Sequence, residues 1–158
     1  MTIRTVFDLF RPKPKVQSIG MKVYNIAKSR IGITEWAGSK HNPEILKMFA
    51  DSGNSWVKDD ETAWCAAFVA SVLLEAGVEH TGKLNARSYM DWGVATSTPK
   101  PGDVVVFWRG SEDGWQGHVA FYHGKNEAGI WVIGGNQGNK VSLVPYSEAR
   151  LLGYRTYA

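Results

Sequence analysis

Ala63-Trp64-Cys65-Ala66-Ala67-Phe68-Val69-Ala70-Ser71-Val72-Leu73-Leu74-Glu75-Ala76, closed by Gly77, is the stretch on which the reading of this chain turns. It is rich in Ala, Val and Leu, and Cys65, Phe68, Val69, Val72 and Ala76 fall on one stripe at helical spacing. Thr62 offers a cap at one end and Gly77 a stop at the other. The single cysteine then lies close to the N3 position, where unpaired N–H groups and the positive end of the helix dipole favour a thiolate. The plainer role is a buried structural cysteine, since free Cys is among the most buried residue types.

Upstream, Asn42-Pro43 has the form of a cap followed by proline at the first helical position. That helix carries Ile45, Leu46, Met48 and Phe49 and ends near Gly53. Ile19–Ile31 has helical spacing as well, with Val23, Ile26 and Ala27 on one stripe. Met1–Gln17 reads as a basic, flexible tail, because Arg11-Pro12-Lys13-Pro14-Lys15 is too polar and proline-rich for a helix or central strand. It lacks the apolar segment of a signal peptide, so none is expected. Downstream, a helical turn over Ala86–Trp92 gives way to β-rich runs at 104–108, 118–123, 130–133 and 140–144, separated by Gly, Asn and Asp clusters. Helices first and strands afterwards predict an α+β domain over residues 18–158, with N-terminal helices packed on a small antiparallel sheet.

Composition narrows the classes. The chain has 158 residues, 44% hydrophobic, with 7 Trp, 6 Tyr and 6 Phe, which argues against disordered and collagen-like classes. One cysteine excludes an internal disulfide. No apolar run approaches the ~20 residues of a membrane-spanning helix. Residues 1–58 carry 10 Lys/Arg against 4 Asp/Glu, whereas residues 59–158 carry 8 against 11. The basic first third suits an anionic surface. No metal is expected, since there are no Cys pairs and no His-Glu-x-x-His pattern. Gly134-Gly135-Asn136-Gln137-Gly138 lacks the Lys and Ser/Thr of a phosphate-binding loop, so no nucleotide cofactor is expected either. Asp59-Asp60-Glu61 reads as negative charge for a helix N-terminus.

A cysteine nucleophile needs a base within hydrogen-bond reach and a third polar group to orient that base. His118 follows Gly117 and opens a strand in which His118, Ala120 and Tyr122 share one face, opposite Val119, Phe121 and His123. The two histidines therefore cannot easily serve one site. The strand 130–133 runs into Asn136 and Gln137 at the end of the sheet where His118 starts. Either can accept from the ring N–H. Trp64 and Glu35 are candidates for the substrate groove, and Glu35 is the one residue that could act as the acid of a glycan-cleaving enzyme.

Trp64-Cys65-Ala66-Ala67-Phe68-Val69, Pro101-Gly102-Asp103-Val104-Val105-Val106-Phe107, Gly117-His118-Val119-Ala120-Phe121 and Gly134-Gly135-Asn136-Gln137, in this order, resemble the CHAP and NlpC-type cysteine peptidases. These are papain-like peptidoglycan hydrolases, common as phage endolysins and bacterial cell-wall enzymes. The resemblance spans roughly Ile19 to Arg155. It implies Cys65 as nucleophile, His118 as general base and Asn136 as the orienting residue, cleaving a stem-peptide amide through a thioester without a cofactor. Gln137, Trp64 and Glu35 would line the groove. It implies peptidoglycan and an anionic envelope surface as partners, with no nucleic acid, for a monomer made in a cytoplasm and acting at the wall. A papain-like amidase on a non-wall substrate and a silent wall-binding module are the alternatives.

Overall fold

A computed structural model describes residues 17–158. The tail expected over Met1–Gln17 falls, apart from Gln17, outside the described residues. Helix α1 spans Ile19–Ser29, capped by the Ser18 hydroxyl on the Met21 N–H at 3.2 Å. Helix α2 spans Pro43–Asp51; Asn42 caps it through the Glu44 N–H at 2.9 Å, and proline takes the first turn. Helix α3, Cys65–Glu75, is buried at every position from Cys65 to Leu73. Its apolar residues go all the way round, as suits a helix enclosed by the rest of the domain. Arg30, the C-cap of α1, donates to Ser71 on α3 at 2.8 Å, and Ser71 donates to Asp51 on α2 at 2.9 Å, so one hydroxyl ties the three helices together.

The start of α3 corrects the sequence reading. Thr62 does not cap it, because the Asp59 carboxylate claims both the Thr62 N–H (2.7 Å) and its hydroxyl (2.9 Å). The cap residue is Trp64, which makes no side-chain cap bond, and Cys65 is the first helical residue rather than the third.

Six strands form one antiparallel sheet in the order β1-β6-β2-β3-β4-β5. They are β1 (Val94–Thr96), β2 (Val104–Trp108), β3 (Gly117–Asn126), β4 (Gly129–Gly134), β5 (Ser142–Tyr146) and β6 (Leu151–Thr156). The meander from β2 to β5 is the one expected. Two strands were missed. β1 is only three residues long, and β6 is interrupted by Gly153, so neither shows a clear alternating pattern. Lys140 does not open β5; it makes an isolated bridge with Thr34. On one sheet face Val104, Val106, Val119, Phe121 and Ile133 join the helices in the main core. On the other, Val105, Phe107, Ala120, Ile130 and Val132 build a smaller cluster with Tyr122 and Tyr146. Among the described residues no helix is long and apolar enough to cross a membrane.

Asp60 supports the loop before α2 instead of charging the start of α3. Fully buried, its carboxylate accepts from the Trp36 and Asn42 N–H groups, both at 2.8 Å, and meets His41 Nδ1 at 3.1 Å. Burial alone would raise its pKa, but these bonds outweigh burial and hold it below the ordinary aspartate value. Asp60→Ala leaves two backbone donors and a ring nitrogen without their acceptor, at a cost of about 3 kcal/mol. A lower urea midpoint checks it. Because the folded-state pKa is depressed, this contribution is present above the unfolded value and is lost as pH falls through the folded one. The acid-side fall in stability should therefore be shallower in the variant.

Candidate active site

Cys65, as the first residue of α3, lines a cleft of about 340 Å³ together with Ala86, Arg109, Trp115, Gly117 and Asn136. Trp115, 75% exposed, stands at its rim. The first intrahelical bond runs from the Phe68 N–H to the Trp64 carbonyl at 2.9 Å, so the N–H groups of Cys65, Ala66 and Ala67 have no partner within the helix. Burial pushes the Cys65 thiol above its ordinary value. The Val119 N–H, the Arg109 charge and the N–H groups of Ala66 and Cys65 pull the other way without offsetting it. The expectation of a thiolate favoured by the helix dipole is thus overturned: desolvation outweighs the dipole, and the resting sulfur is a thiol.

His118 is fully buried at the start of β3, opposite Phe107 on β2. Its ring stacks on Tyr146, centroid to centroid 4.8 Å and 18° from parallel, and Phe107 stacks on Tyr146 at the same separation. These neighbours fix the imidazole plane. Its Nε2 is 2.8 Å from the Gln137 side-chain oxygen. The Gln137 amide cannot turn round without losing its own bond, because its Nε2 donates to the Ser142 carbonyl at 2.7 Å. Nε2 of His118 therefore carries the hydrogen, and Nδ1 keeps the lone pair. Burial pushes the His118 pKa down to about 4; the Gln137 bond opposes this and the Arg109 charge adds to it. At neutral pH both the thiol and the imidazole are uncharged.

The partner of His118 is Gln137, and the choice of Asn136 is corrected on geometry. Asn136 adopts a left-handed backbone (φ 57°), which turns the chain so that its neighbour Gln137 points inward and Asn136 itself lines the cleft. Two glycines permit this. A Cβ on Gly134 would run into the Gln137 amide, and one on Gly135 would sit 2.6 Å from Phe68 and 2.7 Å from Trp64. Gln137→Ala should lower kcat by about 10²-fold, while Asn136→Gly, which accepts the left-handed backbone, should stay within about 10-fold of wild type. Turnover of the two purified variants on one substrate checks this ranking.

The other predicted groove residues go elsewhere. Trp64 is fully buried, and its indole N–H donates to Glu35 at 2.8 Å. Glu35 therefore braces Trp64 and does not line the cleft. Gln137 is buried behind the cleft wall. His123 sits apart from His118, as the strand parity required, and meets the Tyr24 hydroxyl at 2.7 Å.

Two arginines escaped the sequence reading. Arg87 donates to the carbonyls of Gln116 (2.9 Å), Glu112 (2.7 Å) and Ser111 (2.7 Å), clamping the loop that carries Trp115. Arg109 places one nitrogen 3.4 Å from His118 Nδ1. Hairpin register held the signal for Arg109: with Phe107 opposite His118, the residue two positions after Phe107 points to the same sheet face as His118. No such signal marks Arg87 or Tyr146.

The CHAP domain family model matches residues 57–136, which include Cys65, His118 and Asn136. No curated protein matches the chain. Among solved structures, RipD from Mycobacterium tuberculosis, described as a non-catalytic NlpC/p60 domain protein adapted to peptidoglycan binding, superposes with a TM-score of 0.51 at 19% identity. The alignment covers 88% of this chain and 96% of that one. The P60 domain of an antigen of M. avium paratuberculosis gives 0.52 at 17% identity, covering 89% and 93%. An NLP/P60 family protein similar to a lipoprotein, from Staphylococcus aureus, gives 0.54 at 15% identity, covering 96% of this chain and 46% of that one. With these neighbours the α+β architecture is that of the papain-like fold.

Proposed function

Because the chain belongs to the CHAP domain family, we propose that it is a peptidoglycan hydrolase in which Cys65 attacks an amide carbonyl of the stem peptide and His118 serves as base. The observation that carries this reading is the single-tautomer imidazole. Gln137 holds the hydrogen on Nε2, so Nδ1 can take a proton. With both groups neutral, proton transfer accompanies attack and does not precede it. His118 Nδ1 accepts the thiol proton as sulfur bonds to the carbonyl carbon. The developing oxyanion is met by N–H groups at the start of α3, Cys65 among them, and removal of one such donor typically costs 10²–10³ in rate. The imidazolium then protonates the leaving amine as the C–N bond breaks, which leaves a thioester. Water, deprotonated by His118, releases the acid and restores the thiol.

Glycan cleavage draws no support from the cleft, since none of the residues lining it is Asp or Glu and Glu35 is committed to Trp64. RipD, described as non-catalytic and adapted to peptidoglycan binding, is a precedent for a silent module on this fold; Cys65 at the start of α3 and the single-tautomer imidazole of His118 support catalysis here. Mass spectrometry of peptidoglycan incubated with the protein tests the reading. New amino groups are expected. New reducing ends would sink it in favour of a glycosidase, and an unchanged digest with retained binding would identify a silent module.

A further inference from the structure

Arg109 is the only charged side chain among the residues lining the Cys65 cleft. It is partly buried, and among the described residues it pairs with no carboxylate. Three other arginines of the described residues are committed. Arg87 is spent on three backbone carbonyls, Arg30 on Ser71 and Glu75, and Arg155 on the carbonyls of Trp92 and Gly93. A guanidinium has five N–H donors. Those of Arg109 have the long 3.4 Å approach to His118 Nδ1 and the neighbouring Tyr146 hydroxyl. A partly desolvated cation with donors left over is costly unless something pairs with it.

The position is held firmly. The Arg109 N–H bonds the Gln116 carbonyl at 3.0 Å, closing the neck of the loop after β2, and Arg87 grips the same loop. Arg109 therefore presents its guanidinium fork from a fixed backbone position, in the cleft that Cys65 also lines and with no negative side chain there to neutralise it. That fork matches a carboxylate in a bidentate manner.

We infer that Arg109 selects its substrate by pairing with a free carboxylate on the peptide, next to the amide that Cys65 attacks. The inference rests on the hydrolase reading for its kinetic arm only. The probe is one wall-derived peptide in two forms, with every carboxyl free or with every carboxyl converted to carboxamide. Wild type is expected to favour the free-acid form by about 10–100-fold in kcat/KM, the range of one charge-assisted pair. Arg109→Gln should erase most of this preference, through a higher KM for the free-acid form with the carboxamide form little changed. Arg109→Lys should keep part of it. Absence of preference in wild type, or an equal loss on both forms in Arg109→Gln, would overturn the inference, the latter pointing to a role on His118 alone.

A binding arm does not need turnover. Calorimetry on full-length Cys65→Ala protein should show the free-acid peptide binding at least 10-fold more tightly than the carboxamide, with the difference gone in Cys65→Ala/Arg109→Gln. Equal binding of the two forms to Cys65→Ala overturns the inference even if neither peptide is cleaved. Cleavage failure with selective binding overturns only the hydrolase reading. If Arg109→Gln fails to fold by circular dichroism, the same comparison is read on Arg109→Lys, where an unaltered preference for the free-acid form counts against the inference.

Discussion

Cys65→Ala is expected to fold and to lose wall hydrolysis by about 10⁴-fold or more, the scale on which loss of a nucleophile is felt. The fold should survive because Ala is the strongest helix former and the neighbours Ala66 and Ala67 are already small. Loss of one buried sulfur costs on the order of 1 kcal/mol. Circular dichroism and a thermal melt monitor the fold, and turbidity of a purified wall suspension monitors activity. Near-normal hydrolysis by the folded variant would end the cysteine mechanism. The same sulfur should resist alkylation at neutral pH, being 6% exposed and held in its thiol form by burial. Its modification rate should keep climbing as pH passes the ordinary thiol range, because only the thiolate reacts.

Loss of His118 should be nearly as damaging as loss of Cys65, again about 10⁴-fold, and the double variant should be no worse than either single one, since the two act as a unit. His118→Gln, which fills more of the site than Ala, guards against a loss of activity that comes from a cavity beside Tyr146. His123→Ala should keep activity, because that ring bonds Tyr24 away from the cleft. The pH profile gives a second reading. With the His118 pKa pushed down to about 4, the acid limb of kcat/KM in the free enzyme should fall near pH 4 and not near 6.5. The sign for stability agrees. A folded-state pKa below the unfolded one gives a contribution that is full above about pH 6.5 and fades as pH falls towards 4. An acid limb at 6.5, with the protein folded there, would mean that a solvated group sets the rate.

Much of the architecture was legible because it rests on local patterns. Asn42-Pro43 and Ser18 mark helix starts by the donors they satisfy, and the run from Ala63 to Ala76 is apolar enough to be enclosed. The alternation along 118–123 separates His118 from His123 without any tertiary information. Strands β1 and β6 were not legible, because three residues carry no period and Gly153 breaks the alternation of the other; β6 is held between β1 and β2 by their ladders.

At the site, the proposed nucleophile, the proposed base and the segment that supplies the imidazole's partner are legible in the chain: one cysteine, a histidine that opens a strand, and two adjacent amides at the end of the neighbouring strand. Which amide does the work depended on a backbone angle, since the left-handed turn at Asn136 sends Gln137 inward to His118 and Ser142. The charge state depended on burial, which a helix-terminus argument does not include and which here outweighs it at Cys65. Arg109 became visible only once β2 and β3 were paired, because sequence order does not state that Phe107 lies opposite His118, which brings Arg109, two residues on, to the same sheet face. Local backbone preference and hydrophobic period are written residue by residue. Desolvation, handed turns and cross-strand neighbours arise only when distant segments exclude water together, and those decided the protonation state, the orienting residue and the cation of this site.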